Sequence, residues 1–438
     1  MTILEFARNR AFWLMDSLKG GLVHQYLNNL EQIEGKKLPE NEVKSYQGEK
    51  LHDLLVHAKE TVSFYATQSS LVIEEWPVVN KAVIRSDYDS FISNEYTKEN
   101  LIKMSTSGST GTPFVSYQDI RKKKSVNAET LFYNGQIGYQ IGRRIIYLRS
   151  VVSETQKSLL QQFAQNIYLL DCTDLSDQGI EHKLSLIERL SKRGGAMLMG
   201  YSSTLDVFRK YFERNGYDKA QRCNLFGIVG GSTMLYDETR SAMETAFKCK
   251  CVSRYANEEN GFLGQDGQEN NEFLMNRADY YVEILKADSD QPADIGEVGR
   301  IVVTDLMNYA MPMIRYDTGD VGAWKKIKTN NGERLAIGSF GGRKVDMIYG
   351  ADNQPISPHS ISTAMWKWKA IEQYQFAQVA AGSYQMRINV SDAKISEDEL
   401  IYDLRKVVGA EAKIEIIYVN DIPVLNSGKR RYIVNEMK

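Results

Sequence analysis

The residues best suited to chemistry form a run of hydroxyls and glycines, Ser105-Thr106-Ser107-Gly108-Ser109-Thr110-Gly111-Thr112-Pro113. Glycine lets a backbone approach a ligand closely and adopt positive φ. Successive amide N–H groups in such a turn make a concave anion nest, and the hydroxyls add donors that can follow a phosphate as it moves. The run suits a polyphosphate but is neither of the common phosphate loops. It has no lysine where G-x-x-x-x-G-K-[ST] needs one, and it lacks G-x-G-x-x-G. By composition alone it is equally a flexible polar connector.

Other groups offer complementary chemistry. Tyr255-Ala256-Asn257-Glu258-Glu259-Asn260-Gly261 brings two adjacent carboxylates together. Mg²⁺ is held by a few carboxylates with phosphate oxygens and water, although a charged turn is the plain reading. Ile314-Arg315-Tyr316-Asp317-Thr318-Gly319-Asp320 puts a carboxylate after a tight Thr-Gly turn, where it could accept the vicinal hydroxyls of a ribose or simply close a β-turn. Gly428-Lys429 gives an ammonium a mobile mount. Gly200-Tyr201-Ser202-Ser203 and Gly230-Gly231-Ser232-Thr233 each follow an apolar run and could line a substrate pocket or cap a helix. Arg121-Lys122-Lys123-Lys124 reads as a solvated helix face, and Lys81 as an ordinary exposed lysine.

Positioning these groups calls for more than one structural unit, and 438 residues provide for two or three. Residues 1–75 read as helical and amphipathic, with Leu51, Leu54, Leu55 and Ala58 at helical spacing. From about 143 to 254, apolar runs at Ile145–Leu148, Ile167–Leu170, Ala196–Met199 and Leu225–Val229 alternate with helical stretches 154–165, 177–191, 203–214 and 236–247. That alternation predicts βαβ crossovers and a mostly parallel, buried sheet, with ligands at the carboxyl ends of its strands. Short strands at Tyr280–Lys286, Gly299–Thr304, Met313–Tyr316 and Val321–Lys326 predict a β-rich subdomain. A hinge near Gly338–Arg343 separates a large body, 1–340, from a small α/β unit, 341–438. Its elements are a helix over 358–369, paired strands near 374–391, a helix over 396–407 and a strand over 413–419. The fold class is α/β.

Composition narrows the field. Hydrophobic residues make up 42%, and 54 basic residues against 56 acidic leave a formal charge of -2. Nothing in that balance points to nucleic acid or to an anionic membrane. Four cysteines without a C-x-x-C pair fit a reducing cytosol. Cys249-x-Cys251 reads as strand alternation, because no His or Cys follows at ligand spacing. Phe12-Trp13-Leu14-Met15 is too short for a signal h-region. A soluble cytoplasmic protein is expected.

Taken in order, these motifs resemble those of the adenylate-forming enzymes: acyl- and aryl-CoA ligases, luciferases and peptide-synthetase adenylation domains. The 105–113 run is similar to their phosphate loop, and 255–261 to the aromatic-x-x-[ST]-E motif, with Glu258 in place of the usual Thr or Ser. Tyr316–Asp320 is similar to Y-x-T-G-D, and Gly342–Asp346 to the G-R-x-x-D hinge, with Val345 departing from the usual hinge residue. Pro423–Lys429 is similar to the C-terminal P-x-x-x-S-G-K. Trp76–Lys81, the opening Phe12–Gly20 and the wording around Glu259 look most like the phenylacetate–CoA ligase branch. They look closest to its CapK-type members, which are associated with capsular polysaccharide biosynthesis.

The resemblance implies attack of a carboxylate on the α-phosphorus of ATP, giving an acyl-adenylate and pyrophosphate. Transfer to CoA or another thiol, amine or hydroxyl would follow. It implies that Ser105 to Thr112 cradle phosphates, Tyr255 and Arg343 contact the nucleotide, Asp320 holds the ribose, and Glu259 holds Mg²⁺. Lys429 is the catalytic cation on a mobile small domain, and Tyr201, Ser202, Gly230, Gly231 and Ser232 line the acid pocket. Phe262–Met275 contains neither Cys nor His, so no zinc is expected. The partners are then small molecules, without nucleic acid or membrane insertion, and oligomers are compatible. Two alternatives stay open: transfer of AMP to a hydroxyl of a coenzyme, and a non-catalytic nucleotide-binding partner.

Overall fold

The computed structural model describes all of the chain except residues 36–37, 106–113, 150–157, 173, 267–271, 330–331, 339–341, 344–347, 354, 357–360, 362–363, 366, 369, 391–394, 423–430 and 438. The chain divides into two compact units. The first contains Met1–Glu283, Val302–Thr318 and Lys326–Ala336; the second contains Ile284–Ile301, Gly319–Lys325 and Ile337–Lys438. The last segment of the second unit therefore begins at Ile337, close to the anticipated hinge. Two earlier segments of the β-rich region join it.

The first unit opens with three helices, α1 (Ile3–Leu18), α2 (Leu22–Ile33) and α3 (Glu40–Thr61). Leu54, Leu55 and Ala58 of α3 are buried against Trp76, Phe91 and Tyr316, so their helical spacing is core packing. A hairpin follows, β1 (Ile102–Ser105) with β2 (Val115–Gln118), in which Ser105 pairs with Val115. Residues 106–113, which join these strands, lie outside the described residues.

The centre of the unit is a seven-stranded sheet. Its strands are β3 (Arg144–Arg149), β4 (Ile167–Asp171), β5 (Ala196–Tyr201), β6 (Leu225–Gly231), β7 (Cys251–Asn257), β8 (Gly261–Gln265) and β9 (Leu274–Met275). They lie in the order β4-β3-β5-β6-β7-β8-β9. Pairing is parallel from β4 to β7 and antiparallel from β7 to β9. The crossover helices are Leu159–Gln165, Asp177–Ser191, Ser202–Asn215 and Asp237–Phe247. Apolar side chains cover both faces of the strands, which is why these strands read as continuous hydrophobic runs. The chain steps from β3 to β4, then crosses back to β5 on the other side of β3. In open α/β sheets that switch point is where ligands gather.

Two expectations change here. The strand expected at 313–316 begins only at its last residue, as Tyr316–Gly322, and the one expected at 321–326 is broken at Ala323 and resumes as Trp324–Thr329. The Thr318-Gly319 pair is thus inside a strand rather than in a tight turn. Gly319 takes φ 76 there, which glycine adopts without strain. Lys122 is not on a solvated face either. The helix Ile120–Gly135 turns it inward, fully buried, onto Asp305, with Nζ–Oδ2 2.8 Å.

In the second unit, Ile371–Ala380 and Ser383–Val390 form an antiparallel pair, flanked in parallel by Ile433–Asn435 and Lys413–Tyr418. The helix Glu397–Val408 buries Leu400, Leu404 and Val408 in the same core as Phe376, Met386 and Ile388. Acidic residues fill its first turn, and Arg405 and Lys406 its last, as the helix dipole favours. The predicted helix over 358–369 falls mostly outside the described residues. No helix among the described residues is long and apolar enough to cross a membrane.

Candidate active site

Glu259 sits in a turn joining β7 to β8, where Asn260 N–H donates to Asn257 Oδ1 at 2.8 Å. The turn closes on Gly261, whose φ is 127. A Cβ at Gly261 would lie 2.7 Å from Glu129 Oε2 and 2.8 Å from Tyr280 Oη, so only glycine fits. The two adjacent acids part company here: Glu259 is buried and Glu258 is exposed.

Two cationic or hydroxyl groups meet the Glu259 carboxylate. Lys81 Nζ contacts Oε1 directly. Tyr316 Oη donates to the same oxygen at 3.2 Å. Lys81 is the first residue of a short helix, Lys81–Ser86, which Asn80 caps by accepting from the Ala82 and Val83 amides. Its side chain is 33% exposed against 3% for Glu259. The expectation of an ordinary surface lysine therefore fails, because the backbone before it is pinned in place. Val79 N–H donates to Arg315 O at 3.0 Å, and Asp317 N–H donates back to Val79 O at 2.8 Å. Arg315, almost fully buried with φ 47, forks onto Glu283 and donates to the carbonyls of Glu74 and Trp76. The P-x-x-x-K segment is thereby stitched to the Tyr316 strand, and both deliver a group to Glu259.

The hairpin that carries the phosphate-loop sequence reaches the same turn. Gln118 Nε2 on β2 donates to Glu259 O at 3.4 Å. Phe114, the first described residue after the loop, is buried with Lys81 Nζ 5.3 Å and Arg85 Cζ 5.7 Å from its ring centre. Cations at such distances are drawn to the ring face. Positive charge therefore collects at one base of the loop, while Ser105 at the other base is exposed.

The remaining candidates fall into separate groups. Tyr255 is buried, and its hydroxyl donates to Thr318 Oγ1 at 3.3 Å. Tyr201 ends β5, and Ser202 starts the helix Ser202–Asn215 beside Gly230, where an added Cβ would lie 2.9 Å from Ser202 Oγ. That Oγ and Thr233 Oγ1 are buried without a hydrogen-bond partner among the described residues. Gly231 ends β6, and Ser232 follows with φ 70. In the second unit Asp320 pairs with Arg343 in antiparallel register. Thr106 to Thr112, Val345 and Lys429 lie outside the described residues. The sequence reading missed Tyr316 as a partner of Glu259, although it stands inside the Y-x-T-G-D run.

Among the described residues no group of three or more His, Cys, Asp or Glu could hold a metal. A single carboxylate still suits Mg²⁺ when phosphates supply the other oxygens. Both Glu259 contacts use Oε1, so Oε2 is the oxygen that can meet such an ion.

Residues 348–436 match the CapK C-terminal domain. Protein CapK of Staphylococcus aureus is 24% identical over 447 residues, covering 97% of each chain. The chain is similar to CapK over its full length. Its fold is that of adenylate-forming ligases. A 2-hydroxyisobutyryl-CoA ligase, solved in the postadenylation state in complex with an AMP conjugate, superposes with a TM-score of 0.70 at 16% identity, over 91% of this chain and 90% of that one. ATP-bound MatB from Rhodopseudomonas palustris gives 0.53 at 13% identity, over 77% and 68%. This chain thus shares the ligase architecture, at identities that speak for the fold alone.

Proposed function

We propose that this protein is an AMP-forming ligase, which activates a carboxylic acid with ATP as an acyl-adenylate and then passes the acyl group to an acceptor. The observation that carries the reading is the convergence on buried Glu259 of Lys81, Tyr316 and the hairpin bearing the 105–113 run. A carboxylate and ATP repel one another, so the site must neutralise charge before the α-phosphorus can be attacked. Residues 105–112 hold the β- and γ-phosphates, while Lys81 and Arg85 at the loop's base supply fixed positive charge. Glu259 is the residue that would hold Mg²⁺, and the ion when bound would neutralise the departing pyrophosphate. Lys81 pairs with Glu259 and turns toward phosphate when nucleotide enters. Lys429 bridges the carboxylate and α-phosphate in the transition state, an electrostatic and positioning role.

Asp320 accepts the ribose hydroxyls, and Arg343, its strand neighbour, contacts the nucleotide. Tyr255 packs at the adenylate, and Tyr201, Ser202, Gly230, Gly231 and Ser232 border the acid pocket. The small domain from 341 onward then swings, withdrawing Lys429 and admitting the acceptor, which is CoA or another thiol, amine or hydroxyl. The resemblance to CapK-type proteins supports a product used in capsular polysaccharide assembly. Exchange of labelled pyrophosphate into ATP, run across aryl, fatty, hydroxy and sugar acids, tests the reading. Exchange that needs one acid and falls about a hundredfold or more in Lys429→Ala supports it. ATP binding without exchange for any acid refutes it.

A further inference from the structure

Helix α1 is folded inside out with respect to charge and apolarity. Its inward stripe carries Glu5 and Asp16, both buried, together with Asn9, Phe12 and Trp13. Glu5 closes a capping box by accepting from Thr2 N–H at 2.7 Å. Asp16 accepts from the amides of Val23 and His24, at 3.3 and 3.0 Å, and so caps the start of α2. Asn9 Nδ2 donates to Ile141 O at 3.1 Å. The acids are turned inward, and most of the large apolar residues of α1 are left to the outside.

The outward stripe repeats at helical spacing: Ile3, Phe6, Arg10, Leu14 and Leu18, with Met15 beside them. Ile3 is 92% exposed, Leu18 78% and Leu14 62%. The charges of α1 that border this side, Arg10 and, at the margin toward Phe163, Arg8, are both positive, and no carboxylate of α1 is exposed. Arg10 lies over the Phe6 ring at 4.9 Å, its stem covering apolar surface. The strip continues onto a neighbouring helix. Arg8 Nη2 donates to Phe163 O at 2.7 Å and its guanidinium sits 4.9 Å over the Phe163 ring, where exposed Phe163 and Leu160 extend the patch.

Isolated exposed apolar residues are ordinary, but a continuous strip of them marks a contact surface. We propose that α1 is an interfacial anchor that lies flat on an anionic lipid bilayer. An amphipathic helix rich in Leu and Phe on one side, and cationic at its margin, settles into the headgroup region with its axis in the plane. Sixteen residues give a line of contact about 24 Å long. Charge selects the occupant. To a second copy of itself α1 offers no exposed carboxylate that would answer Arg8 and Arg10, whereas anionic headgroups answer both. The chain's near-neutral total hides this separation, since the acids of α1 are spent inside.

Co-sedimentation of the full chain with vesicles tests the proposal. Binding is expected to phosphatidylcholine vesicles containing phosphatidylglycerol, to be weak on phosphatidylcholine alone, and to fall with added salt. Leu14→Ser with Leu18→Ser, and separately Arg10→Glu, should each weaken binding about tenfold. Both variants should retain the wild-type circular dichroism and pyrophosphate exchange, because α1 contributes nothing to the site. Absence of binding to the anionic vesicles would overturn the proposal, as would binding indifferent to these substitutions. A dimer in sedimentation velocity that Leu14→Ser with Leu18→Ser dissolves, without vesicle binding, would equally overturn it by making the face a subunit interface.

Discussion

Two lysine–carboxylate pairs in the first unit are chemically alike and physically opposite. Lys122 and Asp305 are sealed in the core, with Glu129, Asp279 and Tyr280 packed around them. Tyr280 Oη links that cluster to the Glu259 turn by donating to Asn260 O at 2.9 Å, while Glu129 Oε2 accepts from Phe262 N–H at 2.8 Å. Burial pushes Glu129 well above the usual carboxylate range, against the pull of Lys122. Burial also raises Asp305, again opposed by Lys122. Lys81 and Glu259, in contrast, form a pair with one partner buried and the other a third exposed. The first pair is fixed by its surroundings and braces the turn from below. The second can open at little cost and is suited to exchange partners when a nucleotide arrives. A buried ion pair whose partner is removed leaves an uncompensated charge, whereas a half-exposed one lets water compensate.

The contrast can be broken most forcefully from the core side. Lys122→Met should cost about 3–5 kcal/mol of stability in chemical denaturation, because Asp305 is left buried without its cation. A loss below about 1 kcal/mol would mean the core pair is no brace. Glu259→Gln should do the reverse, lowering pyrophosphate exchange about a hundredfold or more while leaving the denaturation midpoint nearly unchanged.

A third pair sharpens the rule. Arg240 Nη2 meets Asp266 Oδ2 at 2.6 Å beneath β7, and burial raises Asp266 from 3.8 to about 6 despite the arginine. An acid with a raised folded pKa contributes stability below its unfolded value and loses it as pH rises through the folded value. Stability from this group should therefore fall between about pH 4 and pH 6, by roughly 3 kcal/mol, and Asp266→Asn should flatten the melting temperature across that window. An unchanged slope in the variant would contradict the assignment. The smallest effect is expected at the open pair: Lys81→Met should reduce exchange about tenfold and leave stability within about 0.5 kcal/mol of wild type.

Much of this was legible in residue order. The β3–β7 core showed as β-branched and apolar runs alternating with helical stretches, because strands buried on both faces leave a continuous hydrophobic signature. The helix over 177–191 matched the observed Asp177–Ser191, since Ser176 marks its start by capping Gly179 N–H. What stayed hidden was direction. Lys122 and Lys123 look alike in a basic run, and only the helix phase against Asp305 turns one of them inward. Lys81 looked like surface because its partner lies 178 positions away and is reached through Arg315, whose side chain holds Glu74 and Trp76 in place. The Thr318-Gly319 turn signal was real chemistry in the wrong setting, as a left-handed glycine can also sit within a strand. The segment of α1 reads in the sequence as an amphipathic helix too short for a signal segment, and its outward apolar stripe stays hidden because periodicity cannot say which face of a helix meets the protein.

The most direct test of acid activation follows an oxygen atom. The acid that supports exchange is labelled with ¹⁸O in its carboxylate, incubated with ATP and acceptor, and the AMP is weighed by mass spectrometry. Attack of the carboxylate on the α-phosphorus and later departure of AMP predict AMP carrying one carboxylate oxygen. Unlabelled AMP, or AMP that remains bonded to a hydroxyl of the second substrate, would contradict the account.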